Sequence, residues 1–219
     1  RMNMLQQEKE KNEKESVENK IKLLESISRF VPKEFLANLG KNSIEDIKLG
    51  EAVQKNMSVL FSDIRSFTEL SEKMSPEDNF QFLNSYLGQM SPIITRNQGF
   101  IDKFIGDAIM ALFPKTAEDA LTAGIEMHIQ LRDYNKGRLR RGYDPISIGI
   151  GIHTGNLILG TIGGIDRMEG TVISDAVNLA SRIEGLTKYY GVGILISEET
   201  FYQLDDPTKY HYRLLDFVH

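Results

Sequence analysis

The sequence predicts an α+β domain with a largely antiparallel sheet covered by helices, and three observations predict it. Apolar runs of strand length alternate with longer stretches of helical period. Two strand-like runs, at 100–104 and 108–113, are separated by a short turn, as antiparallel neighbours are. No run approaches the roughly 18–20 apolar residues that span a bilayer; the longest, such as Ala108-Ile109-Met110-Ala111-Leu112-Phe113, have strand length.

The elements follow in order. Residues 6–16 contain no apolar residue and many strong helix formers. Val17, Ile21 and Leu24 then recur at spacings of four and three. That seam suits either a helix packed on its own domain or a two-stranded helical linker, and both readings stand. Ser28 continues the register poorly and Pro32 ends it. Ser58-Val59-Leu60-Phe61-Ser62 reads as a buried strand. Residues 66–96 carry two helical stretches broken near Ser75-Pro76, a good N-cap followed by a good first helical residue. Residues 100–104 and 108–113 are strands joined at Ile105-Gly106-Asp107, which marks a hairpin. A helix over about 117–136 precedes strands at 146–153 and 157–162, and a helix over 174–186 precedes a strand at 192–196. The order is β-α-α-β-β-α-β-β-α-β, without internal repeats.

Composition narrows the function. A chain of 219 residues fits one domain with an appended segment, here read as a charged helix or coiled-coil linker at 1–29 and a domain at 30–219. Lys and Arg total 26 against 31 for Asp and Glu, a net charge of -5, which argues against a general nucleic-acid binder. Without cysteine the chain forms neither disulfides nor thiolate metal sites. The N-terminus is charged from the start and unlike a signal peptide, so a cytoplasmic setting is expected. Beginning at Arg1-Met2-Asn3, the chain reads as a fragment of a longer protein with upstream sensor domains.

Three features carry candidate chemistry. Asp63 ends an apolar strand and Asp107 sits at the hairpin tip, so a rigid sheet holds both carboxylates where they reach solvent. Magnesium accepts that arrangement, with water and substrate phosphate completing its octahedron; turn-capping aspartates are the plainer alternative. After Asp63, Ile64-Arg65-Ser66-Phe67-Thr68-Glu69 turns into a helix, whose free backbone N–H groups could cradle phosphate. Ser66 and Glu69, three apart, could equally form a capping box. Asn178 and Arg182 lie four apart on one helix face, where an amide and a guanidinium could grip one ligand. Amphipathic helices display such pairs routinely.

Four blocks in order give the pieces a common meaning: Phe61-Ser62-Asp63-Ile64-Arg65-Ser66-Phe67-Thr68, Lys103-Phe104-Ile105-Gly106-Asp107, Gly151-Ile152-His153-Thr154-Gly155 and Asp175-Ala176-Val177-Asn178-Leu179-Ala180-Ser181-Arg182. Together they resemble the signature of class III adenylyl and guanylyl cyclase catalytic domains, over about residues 30–218. Within that family the chain is most similar to the cyanobacterial-type, bicarbonate-responsive soluble adenylyl cyclases.

The resemblance implies a ferredoxin-like βαββαβ core and conversion of ATP to cyclic AMP and pyrophosphate. It implies that Asp63 and Asp107, with the Ile64 carbonyl, hold two divalent metal ions, Mg²⁺ or Mn²⁺. Phe67 and Thr68 fall in the substrate-binding turn. Asn178 matches the residue that orients the ribose, and Arg182 the one that stabilises charge on the α-phosphate. Both come from the opposite subunit in this family, so a homodimer with two shared sites is implied. Lys103 and Thr171 match the purine-selecting pair. Lys103 would donate to adenine N1, and the Thr171 hydroxyl or a nearby carbonyl would accept from N6. Guanylyl-specific members carry Glu and Cys there, so adenylyl activity is expected, with a guanylyl cyclase or a silent nucleotide-binding module as alternatives. Thr171 stands where many adenylyl cyclases have Asp, a substitution typical of bicarbonate-responsive members, so bicarbonate activation is implied. A strand at 212–218 precedes, in the family, a Lys-rich phosphate-contacting turn, and this sequence stops at His219. His153 is read as a packing residue.

Overall fold

The computed structural model describes residues 2–27, 30–164 and 166–217; Ser28, Val218 and His219, which enter the readings above, lie outside them. The chain divides into two compact units, residues 1–47 and 48–219.

In the first unit, α1 (Met2–Ile27) is the charged helix expected from its composition. Ion pairs such as Glu18–Lys22, at 2.9 Å and four residues apart, line it. Val17 and Ile21 stand exposed on it. A short helix, α2 (Lys33–Asn38), begins directly after Pro32.

The second unit is built on β1 (Ala52–Ile64), a 13-residue strand paired on both edges. Then come α3 (Phe67–Ser71), α4 (Pro76–Arg96), the hairpin of β2 (Phe100–Ile105) and β3 (Ala108–Phe113), and α5 (Ala117–Arg140). They are followed by β4 (Ile148–Gly163), β5 (Met168–Ile173), α6 (Asp175–Tyr190), β6 (Ile194–Ile196) and α7 (Glu198–Tyr202). The sheet runs β2-β3-β1-β4-β5, antiparallel throughout, with β6 parallel to β4. β1–α4–β2 and β3–α5–β4 are thus two interleaved split βαβ units, the expected ferredoxin-like core.

Burial divides the helices between the two faces. Leu60 and Ile64 of β1, Ile109 and Ala111 of β3 and Ile148, Ile150 and Ile152 of β4 join Tyr86, Met90 and Ile94 of α4 and Ala120, Ala123 and Met127 of α5 in the main core. The alternate positions face α6. A Cβ at Gly151 would overlap the backbone N of Glu184 and crowd the carbonyl of Ala180, so α6 lies directly on the β4 backbone there. Asp63 pairs with Gly149 and Phe61 with Gly151, which puts the Asp63 side chain on the α6 face.

Several sequence expectations need correction. The two strands expected at 146–153 and 157–162 are one strand, β4, because β1 pairs with it without a break from Ile64↔Ile148 to Ala52↔Gly160. Residues 154–156, left between the two expected strands, are paired too: Asn156 faces Asn56 and accepts its amide at 3.4 Å. The neighbour of this part of β4, β5, was unanticipated because Glu169 and Gly170 follow Met168 and break up its apolar residues. No strand forms at 211–217. A strand needs an edge to pair with, and this segment is tied instead through side chains, Tyr190 Oη donating to Asp216 Oδ2 at 2.7 Å. Finally, Ser66 makes no side-chain cap bond. Its backbone sits in the left-handed region at φ 53°, an uncommon conformation for a non-glycine residue, so the capping box with Glu69 is absent. The Ser75 cap is present, its hydroxyl accepting from Asp78 N, with Pro76 opening α4.

Candidate active site

Asp63 and Asp107 reach one point from different directions. Asp63 is the penultimate residue of β1. Asp107 is the second residue of a two-residue hairpin loop between Ile105 and Ala108, whose first position is Gly106 at φ 63°, the residue such a loop requires. Because β3 pairs with β1, that loop lies beside the end of β1. The Ile64 N–H donates to both carboxylates, to Asp63 Oδ1 at 3.0 Å and to Asp107 Oδ2 at 3.1 Å.

Both carboxylates are half-buried. Burial raises the Asp107 pKa to about 7, and the neighbouring Asp63 carboxylate pushes it the same way, against the Ile64 hydrogen bond. Neither aspartate has a salt-bridge partner among the described residues. Tyr86, fully buried in α4, senses the same charges: burial first, then Asp107 and Asp63, push its phenol pKa up. Among the described residues no group of three or more His, Cys, Asp or Glu forms a ready metal cage. An uncompensated pair of carboxylates at a solvent-reaching point fits Mg²⁺ or Mn²⁺ that keeps water and takes substrate phosphate, rather than a fully protein-ligated ion.

The other predicted residues distribute as follows. Phe67 is partly buried and stacks on Phe82, with ring centroids 6.4 Å apart. Thr68 is exposed beside it. The Lys103 ammonium lies 3.4 Å from Asp102 Oδ2 and 3.7 Å from Glu169 Oε1. Glu169 and Thr171 share one face of β5, so Lys103 reaches the strand that carries Thr171. Asp102 is the extra residue of a β-bulge between Ile101 and Lys103. Its pKa is raised by burial and lowered by Lys103. Asn178 and Arg182 are exposed on α6, and neither side chain pairs with any of the described residues. His153 is buried and its Nδ1 lies 2.8 Å from Ser197 Oγ, as a packing histidine does.

Sequence reasoning missed the groups behind the site: Asp102 and Glu169 beside Lys103, and Arg65, Glu184 and Thr187 beneath Asp63. The signal for the second set was Gly149-Ile150-Gly151 inside a strand, since glycine there marks a close backbone approach.

The Asp107 shift sets a pH dependence for the metal-free protein. The folded state holds its proton up to about pH 7, the unfolded state only to about the ordinary 3.8. The contribution is therefore full below 3.8 and lost as pH rises through about 7. In excess chelator, Asp107→Asn should raise Tm by about 2–4 °C at pH 8 and less at pH 5. A wild-type Tm that climbs between pH 5 and 8 relative to the variant contradicts this.

Comparison with known proteins agrees with the geometry. Residues 51–217 match the family model of the adenylate and guanylate cyclase catalytic domain. The chain is 48% identical over 204 residues to an adenylate cyclase of Anabaena cylindrica, covering 90% of this chain and 41% of that protein. It is 45% identical over 179 residues to the terminal-differentiation-specific adenylate cyclase of Dictyostelium discoideum, of which it spans 8%. It thus spans less than half of either relative. Among solved structures, the adenylyl cyclase CyaB from P. aeruginosa matches with TM-score 0.64 and 38% identity, over 70% of this chain and 82% of that one. The guanylyl cyclase Cya2 matches with TM-score 0.64 and 37% identity, over 71% and 81%. With its matched region containing the whole of the site just described, the chain belongs to the family of adenylate and guanylate cyclase catalytic domains.

Proposed function

We propose that this domain is an adenylyl cyclase, converting ATP to 3′,5′-cyclic AMP and pyrophosphate at sites completed across a homodimer. The observation that carries the reading is the convergence of Asp63 and Asp107 on the Ile64 N–H, with no salt-bridge partner for either among the described residues. Asp63, Asp107 and the Ile64 carbonyl would hold two divalent ions, Mg²⁺ or Mn²⁺. When bound, these supply charge neutralisation for the triphosphate and acidify the ribose 3′-hydroxyl. That oxygen then attacks the α-phosphorus, the bond to the bridging oxygen breaks, pyrophosphate leaves, and the hydroxyl proton passes to water.

The chain's own groups position and stabilise. Thr68 and the Phe67 backbone line the turn beside Asp63. Asn178 orients the ribose and the Arg182 guanidinium donates to the α-phosphate as negative charge builds there. Exposed, and unpartnered among the described residues, these two are available to serve a partner's metal site. Lys103 donates to adenine N1 and Thr171 accepts from N6, a pattern that guanine reverses. In this reading Lys103 and Thr171 carry the choice of ATP over GTP. Thr171 also motivates bicarbonate stimulation. Turnover should rise with bicarbonate and not with chloride at equal pH and ionic strength; equal responses would remove this part of the reading.

Incubation with ATP or GTP and Mn²⁺ should yield cyclic AMP in preference to cyclic GMP. Asp63→Ala and Asp107→Ala should each lower turnover by more than about 100-fold with folding intact by circular dichroism. Near-normal turnover in either variant at saturating metal contradicts the assignment.

Lys103→Glu combined with Thr171→Cys should weaken ATP use and raise the GTP-to-ATP turnover ratio by about tenfold or more. An unchanged ratio in the folded double variant would take both residues out of base selection.

A further inference from the structure

Two residues beyond Asp63, the Arg65 side chain turns under the end of β1 and onto α6. Its Nη1 lies 3.5 Å from Glu184 Oε1, and its Nη2 donates to Thr187 Oγ1. Thr187 is fully buried and donates in turn to the Glu184 carbonyl. The main chain is held as well, Arg65 N donating to Ser147 O at 2.9 Å. Gly149 makes room for the arrangement: a Cβ there would overlap Arg65 Nη2, Thr187 Oγ1 and Glu184 Oε1. The Arg65 and Glu184 side chains are 21% and 13% exposed, so this is a largely desolvated ion pair. Glu184 Oε1 is buried without an aligned hydrogen bond, which makes Arg65 its charge partner by proximity. Glu184 also senses Asp63, whose charge adds to burial in pushing its pKa up while Arg65 opposes them.

We infer that Arg65 and Glu184 form a latch that positions the metal-carboxylate end of β1 against α6 and fixes the rotation of that helix. The inference rests on the metal-site reading above. Glu184 lies two residues after Arg182, about 200° around the helix, so the inward carboxylate and the outward guanidinium occupy opposite faces. Anchoring Glu184 therefore sets the direction in which Asn178 and Arg182 project. Within one chain the latch joins the metal ligands of one shared site to the ribose- and phosphate-handling residues of the other. Arg65 touches no reacting atom in this scheme and is a positioning residue. An arginine is required because its fork meets Glu184 and Thr187 together, which a lysine's single ammonium does not reproduce.

The test uses the whole chain. Removing one partner strands a buried charge, whereas replacing both with apolar groups of similar volume is often tolerated. The main variant is therefore Arg65→Met with Glu184→Leu, which leaves net charge unchanged and the general field at Asp63 near neutral balance. Mn²⁺ alone is titrated without nucleotide, and the free ion is followed by electron paramagnetic resonance. A folded, dimeric double variant with Tm close to wild type should bind Mn²⁺ at least about fivefold more weakly, with Arg65→Lys between it and wild type. In turnover the metal concentration for half-activation should rise and kcat should fall, since both ends of the latch are released. Wild-type Mn²⁺ affinity in the folded double variant would reduce the pair to a structural contact and overturn the latch. So would a wild-type chain that binds no Mn²⁺. A parallel assay of wild-type cyclic AMP formation reports on the cyclase reading, so failure of the latch alone is distinguished from failure of that reading.

Discussion

The Ile64 amide donates to carboxylates from two separate elements, and its position depends on β1 being paired along both edges. The β1–β3 register brings the hairpin tip to the end of β1, and the β1–β4 register fixes which face Asp63 takes. A one-residue slip in either pairing would send a carboxylate to the opposite face. Burial, and after it the neighbouring Asp63 carboxylate, disfavours the doubly ionised form and raises the Asp107 pKa to about 7. A divalent cation would relieve that repulsion. The apo fold therefore holds electrostatic strain in the place where the proposed reaction needs positive charge.

The second constraint is how closely α6 approaches the sheet. Gly149 and Gly151 lack the side chains that would hold the helix off, so its backbone rests on β4 with Ala176, Ala180, Ile183 and Thr187 facing inward. The opposite face of α6 is left for Asn178 and Arg182. The sheet's other face is filled conventionally by α4 and α5, whose buried Tyr86, Met90 and Met127 close the main core. One face is thus devoted to stability, and the other combines packing with the placement of functional groups.

How much of this was legible in the sequence depended on the range of the interaction. The Ser75 cap, Pro76 and the hairpin bounds of β3 follow from local chemistry and were readable directly. Asp63 and Asp107 stood out because each ends or links an apolar run. That they share one N–H, 43 residues apart for Asp107, is set by strand register and was not readable. The Arg65–Thr187 bond joins residues 122 apart and left only two glycines as its trace. Local reasoning also failed at Ser66, where Ser-x-x-Glu matched a capping box but a left-handed backbone removed the geometry. The break expected between strands at 146–153 and 157–162 was overridden by continuous pairing with β1.

The central claim is that each catalytic site is assembled from the carboxylates of one chain and α6 of another. It is tested most directly by mixing two inactive variants, Asp107→Ala and Arg182→Ala, after co-expression or after dilution and reconcentration, with gel filtration confirming dimers. In a mixed dimer one site would carry both lesions and the other neither. Random equal pairing makes about half the dimers mixed, so cyclic AMP formation should return to about a quarter of wild type. Sustained inactivity in verified mixed dimers would mean that each chain houses its own complete site, and would contradict the account.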